Sequence, residues 1–230
     1  MVQQFVPDVQ RVRERFADVE SRVAAAAKAA GRDPAGTRVL VATMYVAAEH
    51  LGALAEAGVR LIGENRAQDL VAKHELYGDA FEYHFIGHLQ SRKTKLILPV
   101  ATLIHSVSTM SVVREIDARA EAPAEVLLEV NIGGEESKSG LAPAEVDGFL
   151  EEAAGHAKVR FAGLMCMPPL FDDPAEARPY FARTRELAER LSTIWRGTYT
   201  FDQLSMGTSA DYEVAAQEGA TIVRVGSVLF

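Results

Sequence analysis

A single cysteine, Cys166, occurs among 230 residues, so no intrachain disulfide can form. That scarcity fits a reducing compartment, because disulfide frameworks belong to oxidising ones. Positive charge is also short: Lys and Arg number 24 against 32 Asp and Glu, a formal net charge of -8. Such an acidic surface argues against a broad footprint on nucleic acid or an anionic membrane, but does not exclude a small basic pocket for one phosphate. No apolar run approaches the roughly 20 residues that cross a bilayer. The opening MVQQFVPDVQRVRERF lacks the apolar core of a signal peptide. The cytoplasm is therefore the expected location. No glycine-rich dinucleotide fingerprint follows the first strand-like run, which weighs against an open doubly wound sheet.

What is there is a soluble, globular composition, 48% hydrophobic and 24% charged. Phe5, Val9, Val12, Phe16, Val19 and Val23 recur at helical spacing and predict an opening helix, ended by Gly31 and Pro34. A repeating pattern follows. Short apolar runs at Arg38–Thr43, Arg60–Gly63, Tyr83–Gly87, Thr102–Val107, Glu125–Asn131, Val159–Met165, Phe201–Met206 and Ile222–Gly226 read as strands. Helix candidates lie between them near 47–57, 65–76, 90–97, 110–120, 143–155, 174–193 and 209–218. Asp173-Pro174 supplies an N-cap followed by proline at the first helical position. Strands that are continuously apolar suit a parallel sheet covered on both faces. Strand and helix alternating through the chain predict an α/β protein, a single (β/α)8 TIM-type barrel with an additional N-terminal helix.

In such a barrel the chemistry sits at the C-terminal strand ends. The polar motifs fall there: Met44 and Tyr45 after the first run, Glu64 and Asn65 after the second, and HFIGHLQSRK at the third. Thr208 and Ser209 precede a helix candidate, with Asp211 spaced to complete a capping box. A helix start with free N–H groups and a small hydroxyl is a natural phosphate cradle. Gly226 and Ser227 would lie on the adjacent strand. Ordinary capping and turn chemistry is the rival explanation for the same residues.

Taken in order, GENRAQD, HFIGHLQSRK, NIGGEESKSG, GLMCMPP, LSMGTSADYE and VRVGS are similar to the pyridoxal phosphate (PLP) homeostasis protein family, over nearly the whole chain. The segment RVLVATMYVAAEHL resembles that family's first strand, with Met44 where the family has its cofactor-binding lysine. A thioether cannot form a Schiff base. The family resembles the N-terminal barrel domain of alanine racemases and lacks their second domain. With Phe230 directly after the eighth strand, one barrel domain over residues 1–230 is expected.

The resemblance implies that Asn65 lines the cofactor ring and Ser209 binds the phosphate. Gly226 and Ser227 would complete the cradle through backbone groups, and Arg224 would approach the pyridine nitrogen. His84 and Met206 are expected as further pocket residues. A permanently charged arginine disfavours protonation of the ring nitrogen and leaves the ring a weaker electron sink. Thr208 replaces the methionine usual in the family's motif.

The implied function is binding, carrying and buffering of PLP, a vitamin B6 cofactor, without robust catalysis and with noncovalent or absent binding in this form. Two rivals stay open. One is an alanine-racemase-like PLP enzyme, against which Met44 counts. The other is a cofactor-free interaction or scaffold protein in which Met44 merely fills the core. Expected ligands are PLP, or phosphate or sulfate in its place. PLP-dependent apoenzymes are candidate partners; nucleic acid and membrane are not, and a monomer is expected.

Other groups have plainer readings. His84 and His88 are four apart, but HFIGH reads as a strand ending at Gly87 and no third ligand is evident, so no metal is expected. Cys166 lies in an apolar run and reads as a buried, inert thiol. Lys138 is either a solvated loop lysine or an amine reaching the pocket mouth.

Overall fold

A computed structural model describes residues 5–135 and 139–230. Eight parallel strands close on themselves in sequence order. They are β1 (Arg38–Ala42), β2 (Leu61–Glu64), β3 (Glu82–Phe85), β4 (Leu103–Val107), β5 (Ala124–Val130), β6 (Val159–Cys166), β7 (Gln203–Ser205) and β8 (Ile222–Val225). The last strand pairs with the first, Leu40 opposite Arg224 and Val41 opposite Val225. The helices are α1 (Val9–Ala29), α2 (Gly52–Glu56), α3 (Ala67–Tyr77), α4 (Thr94–Ile97), α5 (Met110–Arg119), α6 (Val146–Ala153), α7 (Arg178–Ile194) and α8 (Tyr212–Glu218). The expected (β/α)8 barrel with its added N-terminal helix is the observed fold.

Two apolar layers hold it together. The larger lies between strands and helices. The smaller, built around Leu40, Leu61, Leu103, Leu127 and Ile222, draws on strands alone and fills the barrel interior. Their separation follows from the strand period of two, which turns Leu40 inward and Val39 and Val41 outward. The apolar runs looked continuous because both layers are apolar.

The helix α1 starts later than its apolar spacing predicts. Asp8 caps it, its carboxylate accepting the Arg11 N–H at 2.8 Å. Val12, Val19 and Val23 are buried on the expected stripe, which packs against α8. Phe5 is not on that helix. Its N–H donates to the Tyr45 carbonyl at 2.8 Å, and its ring stacks on Phe230 with centroids 5.5 Å apart. The predicted cap at Asp173 is present: its side chain accepts the Ala175 N–H at 2.9 Å, and Pro174 opens the turn that leads into α7. Among the described residues, no helix is long and apolar enough to cross a membrane.

Strand β6 meets β7 at unusually close range. A methyl group on Gly163 would lie 1.7 Å from the Gln203 carbonyl oxygen. Gly163→Ala is therefore expected to force the two strands apart and cost about 3 kcal/mol of stability. The urea midpoint reads this directly. An unchanged midpoint would mean the strands do not pair in this register.

Candidate functional site

A cavity of about 1020 Å³ opens at the C-terminal ends of the strands. Met44, Asn65, Ser209, Arg224, Gly226 and Ser227, all singled out from the sequence, line it together. Ile86, Met167 and Leu170 give it an apolar side, with Leu170 and Met167 largely exposed at the rim. Those three escaped the sequence reading because nothing in HFIGH, or in GLMCMPP and the leucine after it, separates a rim residue from a core one. His88 lines the same cavity and is exposed.

Met44 projects from the turn that ends β1, its sulfur 3.5 Å from the Asn65 side-chain amide nitrogen. Beneath it the strand end is fastened by buried polar groups. The Thr43 hydroxyl donates to Glu64 at 2.5 Å, and the Thr43 carbonyl accepts from Lys73 Nζ at 2.8 Å. Lys73 also pairs directly with Glu64. Both side chains are almost wholly excluded from water, and the second Glu64 oxygen has no hydrogen-bond partner among the described residues. Lys73 was missed in the sequence, where it looked like one more charged helix residue. Its spacing holds the signal: Ala67, Leu70 and Lys73 form the buried stripe of α3.

At the opposite side, Thr208 to Asp211 form a turn rather than the start of the helix. The Thr208 N–H donates to the Asp211 carboxylate at 2.6 Å, so Asp211 supplies the reach-back half of the predicted capping arrangement. The helix α8 itself begins at Tyr212. Gly226 behaves differently from expectation. Its N–H donates to the Ser209 hydroxyl oxygen at 3.0 Å, leaving that hydroxyl's proton for the cavity. Within the protein, an added methyl on Gly226 would meet Ala42, whose carbonyl oxygen would lie 3.4 Å away. Among the described residues, no acceptor takes the backbone N–H groups of Ser209, Ala210 or Ser227. Those N–H groups, with the Ser209 hydroxyl, are the donors available to an oxyanion.

Arg224 forms the floor. Only 6% of it is exposed, and burial pushes its guanidinium below the usual arginine range. Nη1 donates to the Ser205 hydroxyl at 2.5 Å and Nη2 to the Cys166 carbonyl at 3.1 Å. Among the described residues it forms no ion pair with a carboxylate. A buried cation satisfied only by neutral acceptors favours a ligand that brings electron density to it.

Two expected pocket residues lie elsewhere. His84 sits one layer lower, buried inside the barrel, because β3 turns Glu82, His84 and then Ile86 inward in alternation; Ile86 occupies the cavity edge instead. Met206 follows the inward-facing Ser205 and so points outward, into the layer between strands and helices. Cys166 is buried as expected, and burial pushes its thiol up to about 11. Lys138 lies outside the described residues.

Barrel and cavity together define a class. Residues 3–230 match the family described as alanine racemase, N-terminal domain. A pyridoxal phosphate homeostasis protein of Aquifex aeolicus is 38% identical over 221 residues, 94% of this chain and 96% of that protein. A protein from Bifidobacterium adolescentis has the same structure at a TM-score of 0.87, with 33% identity over 100% of this chain and 99% of that one. PipY of Synechococcus elongatus, solved with PLP bound, superposes at a TM-score of 0.82 with 28% identity, covering 95% of this chain and 99% of its own. The chain belongs to the pyridoxal phosphate homeostasis family within this barrel class.

The fastening under Met44 is testable. Lys73→Met leaves the Glu64 carboxylate buried beside a hydroxyl alone, and about 3–5 kcal/mol of stability should be lost. The double variant Glu64→Gln, Lys73→Met should recover most of it. Equal stability of single and double variants in chemical denaturation would show that the pair does not act as a unit.

Proposed function

We propose that this protein binds PLP noncovalently and serves as a cytoplasmic carrier or buffer of it, without catalytic turnover. One observation carries the reading: among the described residues, a single cavity combines backbone N–H donors that no acceptor takes with a buried guanidinium that has no carboxylate partner, and no lysine lines it. The donors suit a phosphate and the guanidinium an unprotonated ring nitrogen. The N–H groups of Ser209, Ala210 and Ser227 with the Ser209 hydroxyl would hold the phosphate. Asn65 would flank the ring and Arg224 would face its nitrogen. PLP supplies an electron-accepting ring to enzymes that use it. Here Arg224 would keep that ring unprotonated and a poor acceptor. Relatives named as homeostasis proteins, and PipY solved with PLP, support the same reading.

At the aldehyde end the group offered is the Met44 thioether, which has no proton to exchange and no lone pair basic enough to capture a carbonyl. The ligand would then hold on through its phosphate and ring alone and leave quickly. Added PLP should keep the absorbance of the free aldehyde or its hydrate and be removed by desalting. Met44→Lys should give a yellow adduct that borohydride fixes at residue 44. A stable adduct on the unaltered chain would place another amine at the aldehyde. A Met44→Lys protein without any adduct would refute the site.

The phosphate end has its own check. Inorganic phosphate should compete with PLP, and Ser209→Ala should weaken both by about tenfold, the worth of one hydrogen bond to a charged group. PLP binding that ignores both phosphate and Ser209→Ala would move the phosphate elsewhere. Racemisation or transamination of amino acids by the purified chain would favour an enzyme instead.

A further inference from the structure

A line of polar side chains crosses the barrel interior beneath the cavity. It begins at Arg224 on β8, whose Nη1 lies 2.5 Å from Ser205 Oγ on β7. Ser205 Oγ lies 2.8 Å from His105 Nδ1 on β4. His105 Nε2 lies 2.9 Å from His84 Nδ1 on β3, and His84 Nε2 lies 2.9 Å from Glu82 Oε1 on the same strand. Glu82, half-buried at the N-terminal mouth, is clasped by Arg38, with contacts of 3.1 and 2.5 Å to its two oxygens. Ser205 and His105 are wholly buried and His84 nearly so. Apolar Leu40, Leu61, Leu103 and Leu127 make up much of the rest of that interior. A cross-barrel polar line is costly in such surroundings unless every member is satisfied.

Counting protons makes the line directional. A guanidinium only donates and a carboxylate only accepts. Glu82 must therefore receive a proton from His84 Nε2. If His84 is neutral, its Nδ1 accepts, and His105 Nε2 must be the donor. If His105 is neutral, its Nδ1 accepts in turn, and the Ser205 hydroxyl must donate to it. Ser205 Oγ is then left as the acceptor for Arg224. Each hydrogen bond has one donor and one acceptor, and every donor points away from the cavity. Burial holds both imidazoles below the usual histidine range, and donation from His84 and Arg38 holds Glu82 down at about 2. The rival arrangement charges His84, moves the His105 proton from Nε2 to Nδ1 and points that Nδ1–H at Ser205. It adds a second cation to an interior that already contains Arg224.

We propose that Ser205, His105, His84 and Glu82 are positioning residues for Arg224, forming one directed hydrogen-bond chain that fixes the guanidinium beneath the cavity and ties it to the Arg38–Glu82 pair at the far mouth of the barrel. Held at Nη1 by Ser205 and at Nη2 by the Cys166 carbonyl, the guanidinium cannot swing to meet a ligand. It offers its remaining N–H groups from one place. The ligand it accepts must present a lone pair there and carry no proton, as an unprotonated ring nitrogen or a carboxylate does. Only this last step rests on the proposed PLP reading. The chain itself does not.

Long-range ¹H–¹⁵N correlation spectra of the labelled full chain at neutral pH test the chain directly, with His84→Gln and His105→Gln used for assignment. Both rings should carry their proton on Nε2 and none on Nδ1. An imidazolium at either position, or a proton on His105 Nδ1, would overturn the proposal. A second arm measures noncovalent PLP affinity by fluorescence quenching. Ser205→Ala should weaken it about tenfold, and Ser205→Thr, which keeps the hydroxyl, should restore it. Unchanged affinity in a folded Ser205→Ala protein would mean that the chain does not position Arg224. Failure of the parent chain to bind PLP at all would sink the ligand reading instead, and the tautomer spectra would still decide the chain.

Discussion

Everything in this site depends on the closure of β8 against β1. Parallel strands leave unpaired backbone groups at an open edge, and joining the last strand to the first removes that edge. The register of the joint places Arg224 opposite Leu40 and Val225 opposite Val41. The strand ends then bring Gly226 beside Ala42 and set Met44 and Ser227 on the lining of one cavity. A shift of one residue would turn Arg224 out of the barrel and Val225 into it. Residues almost a whole chain length apart therefore share a site because the hydrogen-bond ladder has one satisfactory way to end.

The arrangement inside the barrel reflects the same constraint. Eight inward faces leave room for layers of side chains, and the middle of the barrel is filled mainly by leucine. Most polar groups that enter can complete one another. Arg224, Ser205 and the two histidines do so in a row, and outside the barrel, between strand ends and α3, Glu64, Lys73 and Thr43 do so in a cluster. The unpartnered oxygens of Glu64 and of Glu129 on β5 are exceptions among the described residues. Buried polar groups of this kind specify a geometry more than they stabilise it.

Much of this was legible in the sequence, for identifiable reasons. Apolar runs separated by amphipathic stretches have few stable arrangements, and the polar motifs fell at the strand ends where a barrel needs them. Local chemistry was also readable: Asp173-Pro174 opens a helical turn, and Asp211 reaches back to Thr208. What could not be read was depth. His84 stands one residue pair too early on β3 to reach the cavity, and only the alternation Glu82, His84, Ile86 discloses it. Met206 fell on the outer face by the same parity. Lys73 required knowing that α3 buries the stripe on which it lies. Phe5 fitted a helical spacing, yet the cap at Asp8 starts the helix beyond it. The turn at Ser209 hid a hydrogen bond to Gly226 that joins the ends of the consecutive strands β7 and β8.

The fastening of β1 has an implication for how such a site changes over time. Lys73 and Glu64 hold the strand end by the carbonyl and hydroxyl of Thr43, and neither grips the side chain that follows. Residue 44 is thus presented to the cavity by a backbone whose position is secured independently of what that residue is. The scaffold is indifferent to the chemistry it displays there. A thioether stands at this point with Asn65, Arg224 and Ser209 still gathered around it. On the proposed reading, exchange of one reactive group for another at position 44 would alter the tool without disturbing the handle, and a barrel of this kind would gain or lose a covalent function in one step.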